Sequence, residues 1–160
     1  MISFVQEGDH ELVERSKDLG IDIVNPNSTV VLDFNGDGRN DILTTQVSTR
    51  DFRIRPRVYL FENRLPQKNF IKLKLIGGKS NKEGIGAKAI IRTKSGKVYT
   101  RQHYTSFGQF QPQSSSIIHF GLGSERVESV VIEWPYITKG GKKLRKSYPV
   151  LMNETTIIKE

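Results

Sequence analysis

Cysteine is missing from all 160 residues, which excludes disulfide frameworks, thiolate-bound zinc and thiol nucleophiles together. Long apolar runs are missing too. Ala89-Ile90-Ile91 and the Val-Val-Ile of SVVIEW span only a few residues, against the roughly 20 that a membrane-spanning helix needs. The opening MISFVQEGDH has neither the basic start nor the apolar stretch of a secretion signal. The chain therefore reads either as cytosolic or as a mature or excised piece of something longer. Helix signals are scarce: only ELVERSKDLG predicts a helix, with Leu12, Ser16 and Leu19 near helical spacing and Gly20 as its stop.

Acidic residues are scarce in one half alone. Residues 68–160 carry 17 Lys and Arg against 6 Asp and Glu, whereas residues 1–67 carry 8 against 11, so the overall charge of +8 combines an acidic piece with a basic one. This asymmetry predicts two units, 1–67 and 68–160, joined near NRLPQKN, where Asn63, Pro66 and Gln67 interrupt the pattern. A basic unit attracts anionic polysaccharide, nucleic acid or an acidic protein face, or it serves only as a solubilising surface.

What is abundant is strand pattern. STVVLDF, DILTTQV, RVYLFEN, FIKLKLI, GAKAIIRTK, KVYTRQHY, SIIHFGL, ESVVIEW, LRKSYPV and TTIIKE all read as short strands. In FIKLKLI, Ile71, Leu73 and Leu75 alternate with Lys72 and Lys74, as on a half-buried strand. KSGK at 94–97 predicts a two-residue hairpin turn. The fold class is therefore all-β, with an antiparallel sandwich or barrel in the second unit. An internal echo relates SFVQEGDHEL to YLFENRLPQK at an offset of about 56 residues, near one propeller-blade period with an insertion. On that reading the chain begins on the last strand of a preceding repeat, and Met1 is a processing boundary.

The chemistry concentrates in DFNGDGRND, residues 33–41. Calcium takes six to eight oxygens, and a short loop supplies them when alternate residues point inward. Here Asp33, Asn35 and Asp37 stand at positions 1, 3 and 5, the Arg39 carbonyl at 7 and Asp41 at 9, with Gly38 at the sharp turn. Thr44 stands where an EF-hand has its closing Glu, and the flanks are strand-like, so the reading is a calcium loop in a β-hairpin. Three carboxylates repel one another in the empty loop, so metal is expected to order it. The plainer alternative is a turn in which Asp and Asn bond their own backbone. Magnesium is disfavoured by its demand for octahedral geometry and retained water.

Elsewhere the signals are weaker. Ser116 and His119 lie three apart, on opposite faces of a strand, which does not make a triad. His103 and His119 could face each other across paired strands but lack a third ligand, so ordinary sheet histidines are the simpler reading. GIGAK lacks phosphate-loop spacing, and nucleic acid is not an expected partner because no recognition motif accompanies the charge. Lys139, Lys142, Lys143, Arg145 and Lys146 form a candidate polyanion site or a solvated hairpin. Trp134-Pro135 reads as a core anchor at a strand end. Gly84, Gly86, Gly121 and Gly123 read as turn residues, and Ser114, Ser115 and Ser116 as caps of turn backbone.

The loop DFNGDGRNDI, followed by a strand ending LFEN, resembles the FG-GAP or VCBS repeat, a calcium-looped propeller blade. DHELVERSKDLGID resembles the segment that precedes such a loop, with Leu12 in place of the usual Phe. NFIKLKLIGGKSNKEGIGAKAII, QPQSSSIIHFGLG and VESVVIEWP together resemble the ASPIC/UnbV domain over residues 68–160. After Trp134-Pro135 the chain departs from that family, with the longer, basic YITKGGKKLRK. The resemblance implies a propeller-blade-like hairpin repeat followed by a β domain. It further implies a non-catalytic extracellular or cell-surface module, without implying a ligand. Together with Ca2+ as the cofactor read from the loop, the expected role is adhesion, surface assembly or carbohydrate recognition. The alternative is an accessory or catalytic domain of a polysaccharide-acting enzyme. One repeat cannot close a propeller of about four to eight blades, so its edges call for further blades, the basic domain or neighbouring copies in a homo-oligomer or filament.

Overall fold

The computed structural model describes residues 4–7, 11–49, 51–104 and 116–160. Twelve strands account for the regular structure among these residues, and no helix is long and apolar enough to cross a membrane. The chain divides into two compact units, and the division is not sequential. One unit contains the described residues of Met1–Leu32 and Asn40–Asn63. The other contains Asp33–Arg39 and the described residues of Arg64–Phe107 and Gln113–Glu160.

In the first unit β1 (Phe4–Glu7) and β2 (Glu11–Glu14) pair antiparallel, and β3 (Pro26–Leu32), β4 (Asp41–Gln46) and β5 (Arg57–Phe61) form an antiparallel sheet in that order. Ser3, Asp9 and His10 of the motifs quoted above lie outside the described residues. The helix expected over ELVERSKDLG is replaced by strand β2 and one hydrogen-bonded turn. Leu19 N donates to the Arg15 carbonyl, and Gly20, at φ +67°, ends the turn with a bond to the Lys17 carbonyl. Leu12 and Leu19 are exposed, so a helix here would have had no buried apolar stripe to hold it. Among the unit's described residues Ile21 and Ile23 are buried aliphatics, while Val31, Val58 and Leu60 remain exposed.

The second unit is a two-sheet sandwich. One sheet orders β11 (Lys143–Tyr148), β10 (Val127–Ile137), β7 (Lys88–Thr93) and β8 (Val98–Gln102); the other orders β12 (Thr155–Lys159), β6 (Asn69–Ile76) and β9 (Ile117–Gly123). The second sheet is mixed, not purely antiparallel, because β12 runs parallel to β6. Period-two alternation points Ile71, Leu73 and Leu75 of β6, and Ile118, Phe120 and Leu122 of β9, at Ala89, Ile91, Val130, Ile132 and Trp134 of the facing sheet. Trp134 is the core anchor, fully buried, with its Nε1 donating to Tyr148 Oη at 3.0 Å.

It does not end its strand: β10 continues through Pro135 to Ile137. Pro135 is tolerated because the ladder to β7 has stopped at Glu133 and the ladder to β11 shifts register between Glu133 and Ile137. The 94–97 turn has three residues, not two. Thr93 pairs with Lys97, and Gly96, at φ +88°, absorbs the extra residue. Gly121 is a strand residue of β9 opposite Phe70, and Ser114 and Ser115 lie outside the described residues.

Candidate functional site

On β6 and β9 the side chains that do not enter the sandwich core share the sheet's outer face. Phe70 and Lys72 project there from β6 and His119, paired opposite Lys72, from β9. The loop Asp33–Arg39 packs on this face. Lys72 is consequently buried, not solvent-facing as the alternation of FIKLKLI predicts. Phe70 and His119 stack with centroids 5.7 Å apart, and the Lys72 ammonium lies 5.2 Å from the Phe70 ring centre.

The loop is built around one carboxylate. Asp33 Oδ1 accepts the Gly36 N–H and Oδ2 the Gly38 N–H, both at 2.7 Å, and Oδ2 also pairs with Lys72 Nζ. Both side chains of this pair are nearly sealed from solvent, at 7% exposure for Asp33 and 10% for Lys72. Burial works to raise the pKa of Asp33, but the Lys72 bond and the two N–H groups outweigh it and hold the carboxyl below its ordinary value.

Gly38 is required twice. Its φ is +88°, and a Cβ there would overlap the Phe70 ring. Its carbonyl accepts from His119 Nε2 at 2.9 Å, which places the neutral ring's proton on that nitrogen. Burial holds His119 below its usual pKa.

Asp37 is also engaged. Its Oδ2 accepts from Asn35 Nδ2 at 2.8 Å and pairs with the Arg39 guanidinium, and its Oδ1 accepts the Arg39 N–H. The loop is tied to the following segment by Arg39 Nη1 to the Leu65 carbonyl and Gln67 Nε2 to the Asp37 carbonyl. Asp41 belongs to the first unit, where it is fully buried and accepts the Asn63 N–H at 2.7 Å.

The donor set of Asp33, Asn35, Asp37 and the Arg39 carbonyl is all oxygen and suits a hard cation. Among the described residues no three His, Cys, Asp or Glu side chains gather to hold a metal, so Asn35 and main-chain carbonyls would have to complete any set. The charge repulsion that the sequence suggests is relieved here at two carboxylates, Asp33 by Lys72 and Asp37 by Arg39. Lys72, Phe70, Gln67 and His119 escape a sequence reading because they lie about 30 to 80 positions away. One signal was available. Phe70 and Ile71 are adjacent apolar residues, which breaks strict alternation and marks a strand covered on both faces.

The five basic residues of the candidate polyanion site have different surroundings. Lys143 and Arg145 point to Glu133, at 3.3 and 3.7 Å. Lys139 and Lys146 instead line a cavity of about 370 Å³ with Lys79, Tyr136 and Glu160. The Glu160 carboxylate is seated there by the backbone N–H groups of Gly78, Lys79 and Ser80 through one oxygen. His119 is a residue of β9 and His103 follows β8 of the other sheet, so the two do not face each other on paired strands. His103 is buried beyond the end of β8.

A family model described as ASPIC and UnbV matches residues 77–160. The chain belongs to the ASPIC and UnbV family. A comparison with curated proteins finds no match. The matched residues begin directly after β6, yet β6 is the central strand of the β12-β6-β9 sheet, so the ASPIC/UnbV sandwich extends structurally before its matched region. Of the loop's support, His119 falls inside the match, and Phe70 and Lys72 immediately precede it.

Proposed function

We propose that this ASPIC/UnbV chain is a non-enzymatic, calcium-stabilised module working outside the cell or at its surface, in adhesion, surface assembly or carbohydrate recognition. On this reading residues 1–67 are an FG-GAP/VCBS-like repeat whose calcium loop is braced by the sandwich. The observation that carries it is the loop itself: Asn35, Asp37 and the Arg39 carbonyl follow Asp33 at alternate positions, on a backbone already folded around the Asp33 carboxylate. Calcium there would fix the loop, a structural and not a catalytic service. His119 favours this over hydrolysis, since its ring is committed to the Gly38 carbonyl and to Phe70.

The cavity beside Lys79, Lys139 and Lys146 supports an anionic carbohydrate or other polyanion as partner. Exposed Val31, Val58 and Leu60 on the edge strands of the β3-β4-β5 sheet support neighbouring copies or blades. The test pairs calcium titration calorimetry with a glycan array and a polysaccharide turnover assay. Saturable calcium and glycan binding without turnover is the expected result. Turnover abolished by a single carboxylate substitution would replace this reading with an enzymatic one.

A further inference from the structure

We infer that Lys72 is a built-in cation of the 33–39 loop that holds it folded without metal and weakens its hold on calcium. The inference rests on the calcium reading above and concerns a residue that lies outside the loop. An ammonium and a dication seek the same carboxylate. Lys72 reaches Asp33 Oδ2, the head of the donor series, where both side chains are largely covered and their attraction is less screened than at an open surface. Its position is fixed from three directions: the strand register opposite His119, the Phe70 ring beneath the ammonium, and the Asp33 carboxylate itself.

With Arg39 on Asp37, the loop's two carboxylates meet two internal cations and carry no net charge. A dication entering this balanced cluster meets the repulsion of Lys72 and competes with it for Asp33. Without Lys72, Asp33 keeps its two N–H donors but loses its counter-charge. Calcium then becomes the natural replacement.

The test uses the full chain and its Lys72→Met variant, which keeps the apolar stem and removes the charge. Calcium alone is titrated by calorimetry, and thermal melts are recorded with excess chelator and with saturating calcium. The variant should bind calcium at least about tenfold more tightly than the wild type, within the range of coupling between interacting sites. Its melting temperature should fall in chelator and be restored by calcium, with a larger swing than the wild type shows. If the wild type binds calcium and the folded variant binds it no more tightly, Lys72 is not the competitor and the calcium reading stands. If neither binds, the calcium reading fails and the inference with it. Should the Met variant not fold, Lys72→Gln makes the same comparison with a neutral hydrogen-bond donor.

Discussion

Replacing Gly38 with alanine should destabilise the sandwich far more than the same change at Gly36, although both glycines have positive φ, +88° and +79°. Backbone strain is common to the two. A Cβ in the left-handed region costs about 1–2 kcal/mol, partly offset by the lower entropy of the unfolded alanine chain. At Gly36 a Cβ meets nothing within 4 Å, so the net cost there is about 1 kcal/mol. At Gly38 the Cβ would overlap the ring of Phe70, which is 4% exposed and held in contact with both Lys72 and His119. Overpacking of this kind adds about 1–3 kcal/mol, for a total of about 2–4 kcal/mol.

At roughly 4 °C per kcal/mol for a unit of this size, Gly36→Ala should lower Tm by about 4 °C and Gly38→Ala by about 8–16 °C. The assay is Trp134 fluorescence, because the chain's single tryptophan sits in the sandwich core and reports that unit alone. Equal melting of the two variants would refute the packing of the loop on Phe70.

Tyr148→Phe leaves buried Trp134 Nε1 without its acceptor and should cost about 1–3 kcal/mol in urea unfolding. Glu160 has a folded pKa below its ordinary 4.5: burial raises it, but the N–H groups of residues 78–80 and the Ser80 hydroxyl lower it further. Its stabilisation is therefore complete above that value and lost as pH falls through the lower folded pKa, so Glu160→Gln should flatten the acid limb of a Tm-against-pH curve. For the polyanion surface, Lys139→Ala with Lys146→Ala should reduce retention on a sulfated polysaccharide column more than Lys143→Ala with Arg145→Ala. The second pair is already turned to Glu133.

The strands were legible because β structure writes itself locally. All ten runs read as short strands became β3 to β12, and the core followed from which parity of β6, β9 and β10 is apolar. ELVERSKDLG misled because spacing alone does not distinguish a helix stripe from exposed leucines. That residues 33–39 form a tight polar turn was equally legible, since Asp and Asn beside Gly are a local code, and the structure closes that turn on the Asp33 carboxylate.

What the loop rests on was not legible. Lys72 looks like any outward lysine of a half-buried strand until the loop covers that face, and His119 is brought opposite it only by the β6–β9 register. The division of the basic run has the same cause. Neighbours in sequence along β11 alternate faces, so Lys146 reaches a cavity while Arg145 turns to Glu133.

The most direct test of the central claim is the melting temperature of the full chain and of Asp37→Ala, each in excess chelator and in saturating calcium. A calcium-dependent rise in the wild type that disappears in Asp37→Ala is the predicted result. A wild-type melting curve that does not move between the two conditions would contradict the assignment of residues 33–41 as a calcium loop.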